Sequence, residues 1–129
     1  MTNTEEHALR WVGFLAARPE IRNAGLLLEH FRHGQISRLC DCGCQSFELR
    51  TSETAGLDPL VPASARGGCV FTMAFYTQEP QKTVEFGVFV DAAGYLQGID
   101  VDYYANSSPM PESLTLLEPP FHVHGVIAI

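Results

Sequence analysis

Three of the four cysteines of this chain lie within five residues, in the run Cys40-Asp41-Cys42-Gly43-Cys44. Thiolates bind soft metal ions, attack electrophiles and form redox pairs, so the run allows three kinds of chemistry. In an extended backbone the three side chains would share one face, with neighbouring Cα atoms about 6.5–7 Å apart. Gly43 favours a turn instead, and a turn can gather two or three sulfur atoms around one ion.

A zinc ion is one candidate for this run of Cys40, Cys42 and Cys44. Zinc takes about four ligands at roughly 2.0–2.3 Å in a tetrahedron, so Cys69 or a histidine would have to complete the set. Familiar zinc sites use pairs separated by two to four residues and a second matching pair, which this chain lacks. The spacing therefore favours small, largely buried thiols that pack around a tight glycine turn, with zinc as the alternative.

A thiol-dependent enzyme is another candidate. Arg38 and Arg50 are near the cysteines in sequence and would lower a thiol pKa, whereas Asp41 would raise it. A cysteine hydrolase also needs a base and an orienting group, and no histidine is assigned to that role by the sequence. The chain has no phosphate loop, dinucleotide fingerprint or nucleophile elbow.

His122 and His124 form a second candidate site for a divalent metal. On a strand both imidazoles would point to the same face, and Asp100 and Asp102 show the same spacing. If the last strand paired beside residues 95–104, these imidazoles and carboxylates could converge. Alternating polar residues are also typical of the solvated face of a sheet, and this second interpretation stays open.

Two amphipathic helices precede these residues. Apolar residues recur at spacings of three and four over residues 4–17 and again over residues 20–33. Gly25 weakens the middle of the second helix, so a later start, after Asn23, is the alternative. Gly34 is placed to end the second helix as a left-handed cap. His30 is predicted to lie on the surface of this helix.

Strands and loops follow the helices. The pattern predicts long loops at 52–68 and 105–120, because both stretches contain several prolines. The apolar segment 121–129 would dock as a final strand or bury itself against a partner chain. Alternating or continuous apolar residues predict five strands before it, at 36–40, 45–51, 69–76, 83–90 and 95–104.

Length and composition predict a single α+β domain over residues 1–129. Of its residues, 46% are hydrophobic and 18% are charged, which is a globular balance. Two N-terminal helices packed on a mainly antiparallel sheet of four to six strands is the most economical architecture. The net charge of −7 argues against binding to nucleic acid or to an anionic membrane surface.

The compartment predicted from these features is the cytoplasm. The N-terminus is polar and acidic, and no stretch approaches the roughly 20 apolar residues of a membrane span. In a reducing cytosol the cysteines would be thiols or metal ligands rather than disulfides.

The segments from Cys42 to Leu49 and from Val88 to Val101 carry a resemblance. Together they resemble a loose group of small bacterial proteins of unknown function, which have a Cys-Gly-Cys-x-Ser turn and a strand, then a Gly-x-Leu hairpin and an acidic strand. This chain departs from that pattern in the alanines before Gly94 and in Cys40. The resemblance implies no activity, but it implies that the turn and the hairpin at Gly94 belong to one module.

The function expected from the sequence is that of a non-enzymatic binding or protein-interaction module without a cofactor. A homodimer is expected, because the apolar C-terminus and the sheet edges offer surfaces for association. The acidic charge would suit a basic protein partner. The alternatives are a zinc-binding protein or metalloenzyme, using either the four cysteines or the two histidines with an aspartate, and then a thiol-dependent enzyme.

Overall fold

The computed structural model describes residues 3–51, 56–61, 67–79, 81–106 and 108–125. Helices α1 and α2 come first, and six antiparallel strands then form one sheet in the order β1-β2-β5-β4-β3-β6. The predicted α+β class is confirmed. The elements are α1 (Glu5–Ala16), α2 (Ala24–His33), β1 (Gly34–Leu39), β2 (Phe47–Thr51), β3 (Gly68–Thr77), β4 (Thr83–Val90), β5 (Leu96–Tyr103) and β6 (Leu116–Gly125).

Helix α1 begins with a reciprocal cap. The Thr4 hydroxyl accepts a hydrogen bond from the main-chain N–H of His7, and the His7 ring accepts one from the main-chain N–H of Thr4, both at 3.3 Å. Two of the N–H groups that a helix start leaves unpaired are thereby satisfied. The buried stripe of this helix is the one that the apolar spacing predicts, and it consists of Ala8, Trp11, Val12 and Leu15.

Helix α2 begins at Ala24, which is the later of the two predicted starts. The prediction for Gly34 is wrong, because Gly34 is extended (φ −91°, ψ 172°) and opens β1 directly. The prediction for His30 is also wrong. Its side chain is fully buried. Burial is tolerated because both ring nitrogens are hydrogen-bonded to distant main-chain groups, the carbonyl of Asp58 and the amide of Leu96.

Both helices pack on the same face of the sheet. Aromatic side chains make the contact: the Trp11 and Phe86 rings are 5.1 Å apart, and the Phe31 and Phe47 rings are 5.9 Å apart. Burial of such large apolar side chains is the main driving force for this packing. The opposite face of the sheet, called the outer face below, carries polar residues of the central strands.

The predicted loop at 52–68 is partly a packed segment. Residues 52–55 and 62–66 lie outside the described residues. Within 56–61, Leu60 and Val61 belong to the hydrophobic core, and the Leu60 N–H donates to the Gly94 carbonyl at 2.8 Å. The Tyr95 hydroxyl donates to the Leu57 carbonyl. This segment therefore closes the core beside the β4–β5 hairpin.

The predicted loop at 105–120 is too long, because β6 already begins at Leu116. Pro119 and Pro120 lie inside this strand and suggest a loop when they are read in sequence. They are accommodated because β6 is at the edge of the sheet, where a missing N–H is tolerated. The prediction that residues 121–129 dock as a strand is confirmed for 121–125, and 126–129 lie outside the described residues.

No helix in the described part of the chain is long and apolar enough to cross a membrane.

Candidate metal centre

Residues 40–46 connect β1 to β2 and bring three thiols together. The Sγ atoms of Cys40 and Cys42 are 2.9 Å apart, and those of Cys42 and Cys44 are 3.0 Å apart. All three sulfur atoms lie within 4.8 Å of one another. They are free thiols that differ in burial: Cys40 is half-buried, Cys42 is exposed and Cys44 is buried. We call these three residues the thiol triad.

Hydrogen bonds close the turn around the triad. The Cys40 N–H donates to the Ser46 carbonyl at 3.0 Å, which extends the β1–β2 ladder by one bond. The Asn3 side-chain amide donates to the same carbonyl at 2.7 Å. The Ser46 hydroxyl accepts from the Val101 N–H at 2.8 Å, and the turn is thereby tied to β5. The turn is thus closed by one internal hydrogen bond and fixed to two other parts of the fold, Asn3 before α1 and Val101 of β5.

Gln45 attaches the turn to α1. Its side-chain carbonyl accepts hydrogen bonds from the Trp11 indole N–H at 2.6 Å and from the Arg10 guanidinium at 2.8 Å. Gln45 is buried, and a buried polar group of this kind is costly unless it is paired. Because Gln45 follows Cys44 directly, this anchor also fixes the buried member of the triad.

Gly43 gives the turn its shape. Its φ of +105° is in a region that residues with a side chain rarely adopt. A Cβ atom at this position would lie 3.3 Å from the Cα of Pro109. The Gly43 carbonyl accepts a hydrogen bond from the N–H of Met110, whose side chain is buried in the core. The sequence prediction of a glycine turn is therefore confirmed.

The triad shares its protons unequally. Hydrogen bonds with Cys40 and Cys44 lower the pKa of the Cys42 thiol. The hydrogen bond with Cys42, followed by burial, raises the pKa of Cys40 to about 12. Cys42 is therefore more acidic than Cys40. A divalent cation at this place would favour ionisation of all three thiols.

A cavity of about 450 Å³ borders the triad on the outer face. Its floor contains Gly98, where a Cβ atom would lie only 2.7 Å from the Phe47 carbonyl oxygen, so only glycine lets β2 and β5 approach this closely. The cavity is within the size range of small-molecule sites. Its lining residues are Arg38, Cys40, Cys42, Cys44, Ser46, Phe47, Glu48, Phe89, Gln97, Gly98, Asp100 and Asp102.

Three carboxylates make the wall of this cavity acidic. Partial burial, then the charges of Asp102 and Glu48, raises the pKa of Asp100. One oxygen of Asp102, Oδ1, is buried and has no hydrogen-bond partner among the described residues. Arg38 is the cationic lining residue, and its guanidinium lies 3.4 Å from the Glu48 carboxylate. The wall thus has an excess of negative charge and an unsatisfied acceptor.

Cys69 lies apart from the triad. It is exposed at the start of β3, opposite Phe89 of β4, and it does not belong to the group of close metal-binding side chains found in the described residues. Two strands, β4 and β5, stand between β3 and β2, the strand that the triad turn enters. Its predicted role as the fourth ligand stays a prediction.

His122 and His124 share a face of β6, as the sequence predicts. Their rings are 6.3 Å apart and inclined by 20°, and His122 is hydrogen-bonded to Thr72 at 3.1 Å. The proposed convergence with Asp100 and Asp102 does not occur, because β6 pairs with β3 and is separated from β5 by two strands. Among the described residues these histidines have no third metal-binding side chain beside them.

Several residues of the cavity were not singled out as site residues by the sequence. Arg38 is predicted only as a neighbour of the thiols, and no role is predicted for Ser46 and Glu48, although all three line the cavity. The sequence contains a weak signal for the position of Glu48. It lies between the apolar residues Phe47 and Leu49 of an alternating strand and therefore faces away from the core. The polar face of β2 thus pointed to the surface where the cavity lies.

No protein-family model matches this chain, and no curated protein or solved structure is significantly similar to it.

Proposed function

We propose that this protein binds one thiophilic divalent metal ion, zinc in the first place, through Cys40, Cys42 and Cys44. The observation that carries the proposal is the approach of three thiols to within 4.8 Å of one another in a turn that is hydrogen-bonded to the rest of the fold. Thiolates select zinc and other soft ions over magnesium and calcium.

The spacing of the sulfur atoms is compatible with an ion after a small adjustment. In a zinc tetrahedron with bonds of about 2.3 Å, two sulfur ligands are about 3.8 Å apart. The pairs at 2.9 and 3.0 Å would each have to open by less than the length of one bond. Rotation of exposed Cys42 supplies this movement without a change in the backbone.

Titration of metal-free, untagged protein with cobalt(II) tests the proposal. Thiolate ligands give intense charge-transfer absorption in the near ultraviolet, and we expect it to saturate at one equivalent and to disappear when zinc displaces cobalt. Cys42→Ser should weaken binding by more than about 100-fold, because it removes a direct ligand. Cys69→Ser is the matched control and should bind as the unmodified protein does.

Two results would contradict the proposal. The first is the absence of charge-transfer absorption at stoichiometric cobalt with fully reduced thiols. The second is an unchanged affinity of the Cys42→Ser variant, which would show that the metal binds elsewhere. An equal loss in Cys69→Ser would instead make Cys69 a fourth ligand, as the sequence prediction has it.

A second candidate function is self-association through β6, which agrees with the interaction module expected from the sequence. Tyr76 and Phe121 stack at 4.3 Å on the surface, yet each is 48% exposed, and Leu117 and Val123 beside them are exposed as well. In the described part of the chain, β6 pairs with β3 alone, so one edge of its backbone is unpaired. Such an edge favours pairing with another strand.

Sedimentation velocity at micromolar concentration tests this candidate. A dimer is expected for the unmodified chain and a monomer for Phe121→Glu, because a charge beside the strand edge opposes pairing. Leu9→Glu is the matched control, since Leu9 is exposed on α1, away from the sheet edge. A monomer for the unmodified protein, or a dimer that survives in Phe121→Glu, would contradict it.

A further inference from the structure

The metal site built from the thiol triad is one ligand short. Zinc in closed structural sites has four protein ligands, whereas sites that keep an open position have three. In the part of the chain that the structure describes, the group of close metal-binding side chains consists of Cys40, Cys42 and Cys44 and includes no carboxylate or imidazole. An ion held by these thiols would therefore keep one coordination position for a ligand from outside the chain.

The cavity on the outer face leads to that position. All three thiols line it, together with Gly98, which has no side chain to fill the space. The volume of about 450 Å³ is enough for a small molecule and not only for water. An ion bound by the triad would border the cavity directly.

The charges of the cavity wall limit the class of ligand. A divalent ion with three thiolates carries one net negative charge, and Glu48, Asp100 and Asp102 line the same space. Arg38 opposes this excess but is already beside Glu48. An anionic ligand would be repelled by these groups, so neutral and cationic molecules are favoured.

The unpaired oxygen of Asp102 points to a hydrogen-bond donor on the ligand. A buried carboxylate oxygen without a partner is costly, and the described residues supply no donor to it. Asp102 lines the cavity, so a rotation of its carboxylate would bring this buried oxygen within reach of an N–H group on a bound molecule. If the same molecule has a free nitrogen lone pair, it can also occupy the open position on the metal.

We infer that the triad-bound metal ion takes a small nitrogen base of the imidazole or amine class as its fourth ligand, held in the outer-face cavity with an N–H directed to Asp102. This inference rests on the proposed metal-binding function. On this inference the metal site binds a small molecule and is not a closed structural site.

Imidazole titration of the cobalt-loaded protein tests the inference. We expect the visible d–d bands of cobalt to shift and to saturate with imidazole, and to respond at least tenfold more weakly to acetate at the same ionic strength. Asp102→Ala, saturated with cobalt, should bind imidazole about tenfold more weakly, because one hydrogen bond to a charged group is lost. Glu85→Ala is the matched control: Glu85 is the cross-strand neighbour of Asp102 but does not line the cavity.

The outcomes separate the two proposals. In one outcome, cobalt binds with thiolate absorption while its d–d bands do not change on addition of imidazole. This result would show a closed site, which overturns the inference and leaves the metal-binding proposal intact. Equal responses to acetate and imidazole would overturn the ligand class. An Asp102→Ala protein that binds imidazole like the Glu85→Ala control would overturn the role of Asp102. If cobalt does not bind at all, both proposals fail.

Discussion

His30→Leu is predicted to destabilise the protein strongly. The buried ring of His30 is hydrogen-bonded through Nε2 to the Asp58 carbonyl at 2.7 Å, and through Nδ1 to the Leu96 N–H at 3.2 Å. The ring therefore carries its proton on Nε2, because Nδ1 must accept. It joins α2, the segment 56–61 and the start of β5.

The magnitude follows from the two groups that leucine would leave unpaired. Each unsatisfied buried main-chain group costs about 1–3 kcal/mol, so the loss of two partners should lower the free energy of unfolding by about 2–6 kcal/mol. Leucine is similar to histidine in size, so the cost of an empty cavity is small beside this. A loss of this size is a large share of the roughly 5–15 kcal/mol that stabilises an ordinary domain.

The pH dependence gives a second, independent signature. Burial lowers the pKa of His30 below its ordinary value of 6.5. Between these two pKa values the unfolded chain binds the proton and the folded chain does not, so stability falls as the pH falls through this range. The slope attributable to His30 is at most about 1.4 kcal/mol per pH unit, and His30→Leu should abolish it.

Urea denaturation followed by Trp11 fluorescence, from about pH 5 to about pH 7.5, measures both effects. The difference between the two proteins cancels groups that titrate in both, including Asp100. His33→Gln is the matched control on the same helix: His33 is exposed and should change stability by less than about 0.5 kcal/mol. A loss below about 1 kcal/mol, or a pH slope that survives in His30→Leu, would refute the reasoning.

Three further substitutions test how the turn and cavity are built. Ser46→Ala removes the acceptor of a β5 amide and should lower the free energy of unfolding by about 1–3 kcal/mol in urea, whereas exposed Ser37→Ala should not. Gly98→Ala should lower the melting temperature, because its Cβ would meet a β2 carbonyl at 2.7 Å, whereas Gly13→Ala, with open space around it, should raise it. Gly43→Ala should weaken cobalt binding about tenfold through backbone strain; unchanged affinity would mean that the turn adapts.

The elements that were predicted best are those whose pattern is local. The bounds of β4 at 83–90 match the prediction, because four apolar residues alternate without interruption and turn residues flank them. The start of β6 was missed, because the tolerance for Pro119 and Pro120 comes from its place at the edge of the sheet. His30 was missed for a similar reason, since its partners lie 28 and 66 residues away.

The candidate site shows the same difference between residues that are adjacent in sequence and residues that only the fold brings together. The triad was recognised because its three residues are adjacent in sequence, and Gly43 already indicated a turn. The acidic wall of the cavity was not recognised from the sequence, because Asp100 and Asp102 come near the thiols only through the pairing of β2 with β5. The sequence instead offered His122 and His124 as neighbours for these aspartates, and the strand order rules this out.

The bond between the Ser46 hydroxyl and the Val101 N–H also bears on the order in which the site is assembled. It joins residues 55 apart, whereas the whole thiol triad is contained in five consecutive residues. During synthesis the three thiols are therefore present well before the strand that carries Asp100 and Asp102. Under the proposed metal-binding function, an ion would reach these thiols on the nascent chain first, and the cavity would form beside it only when β5 docks on β2.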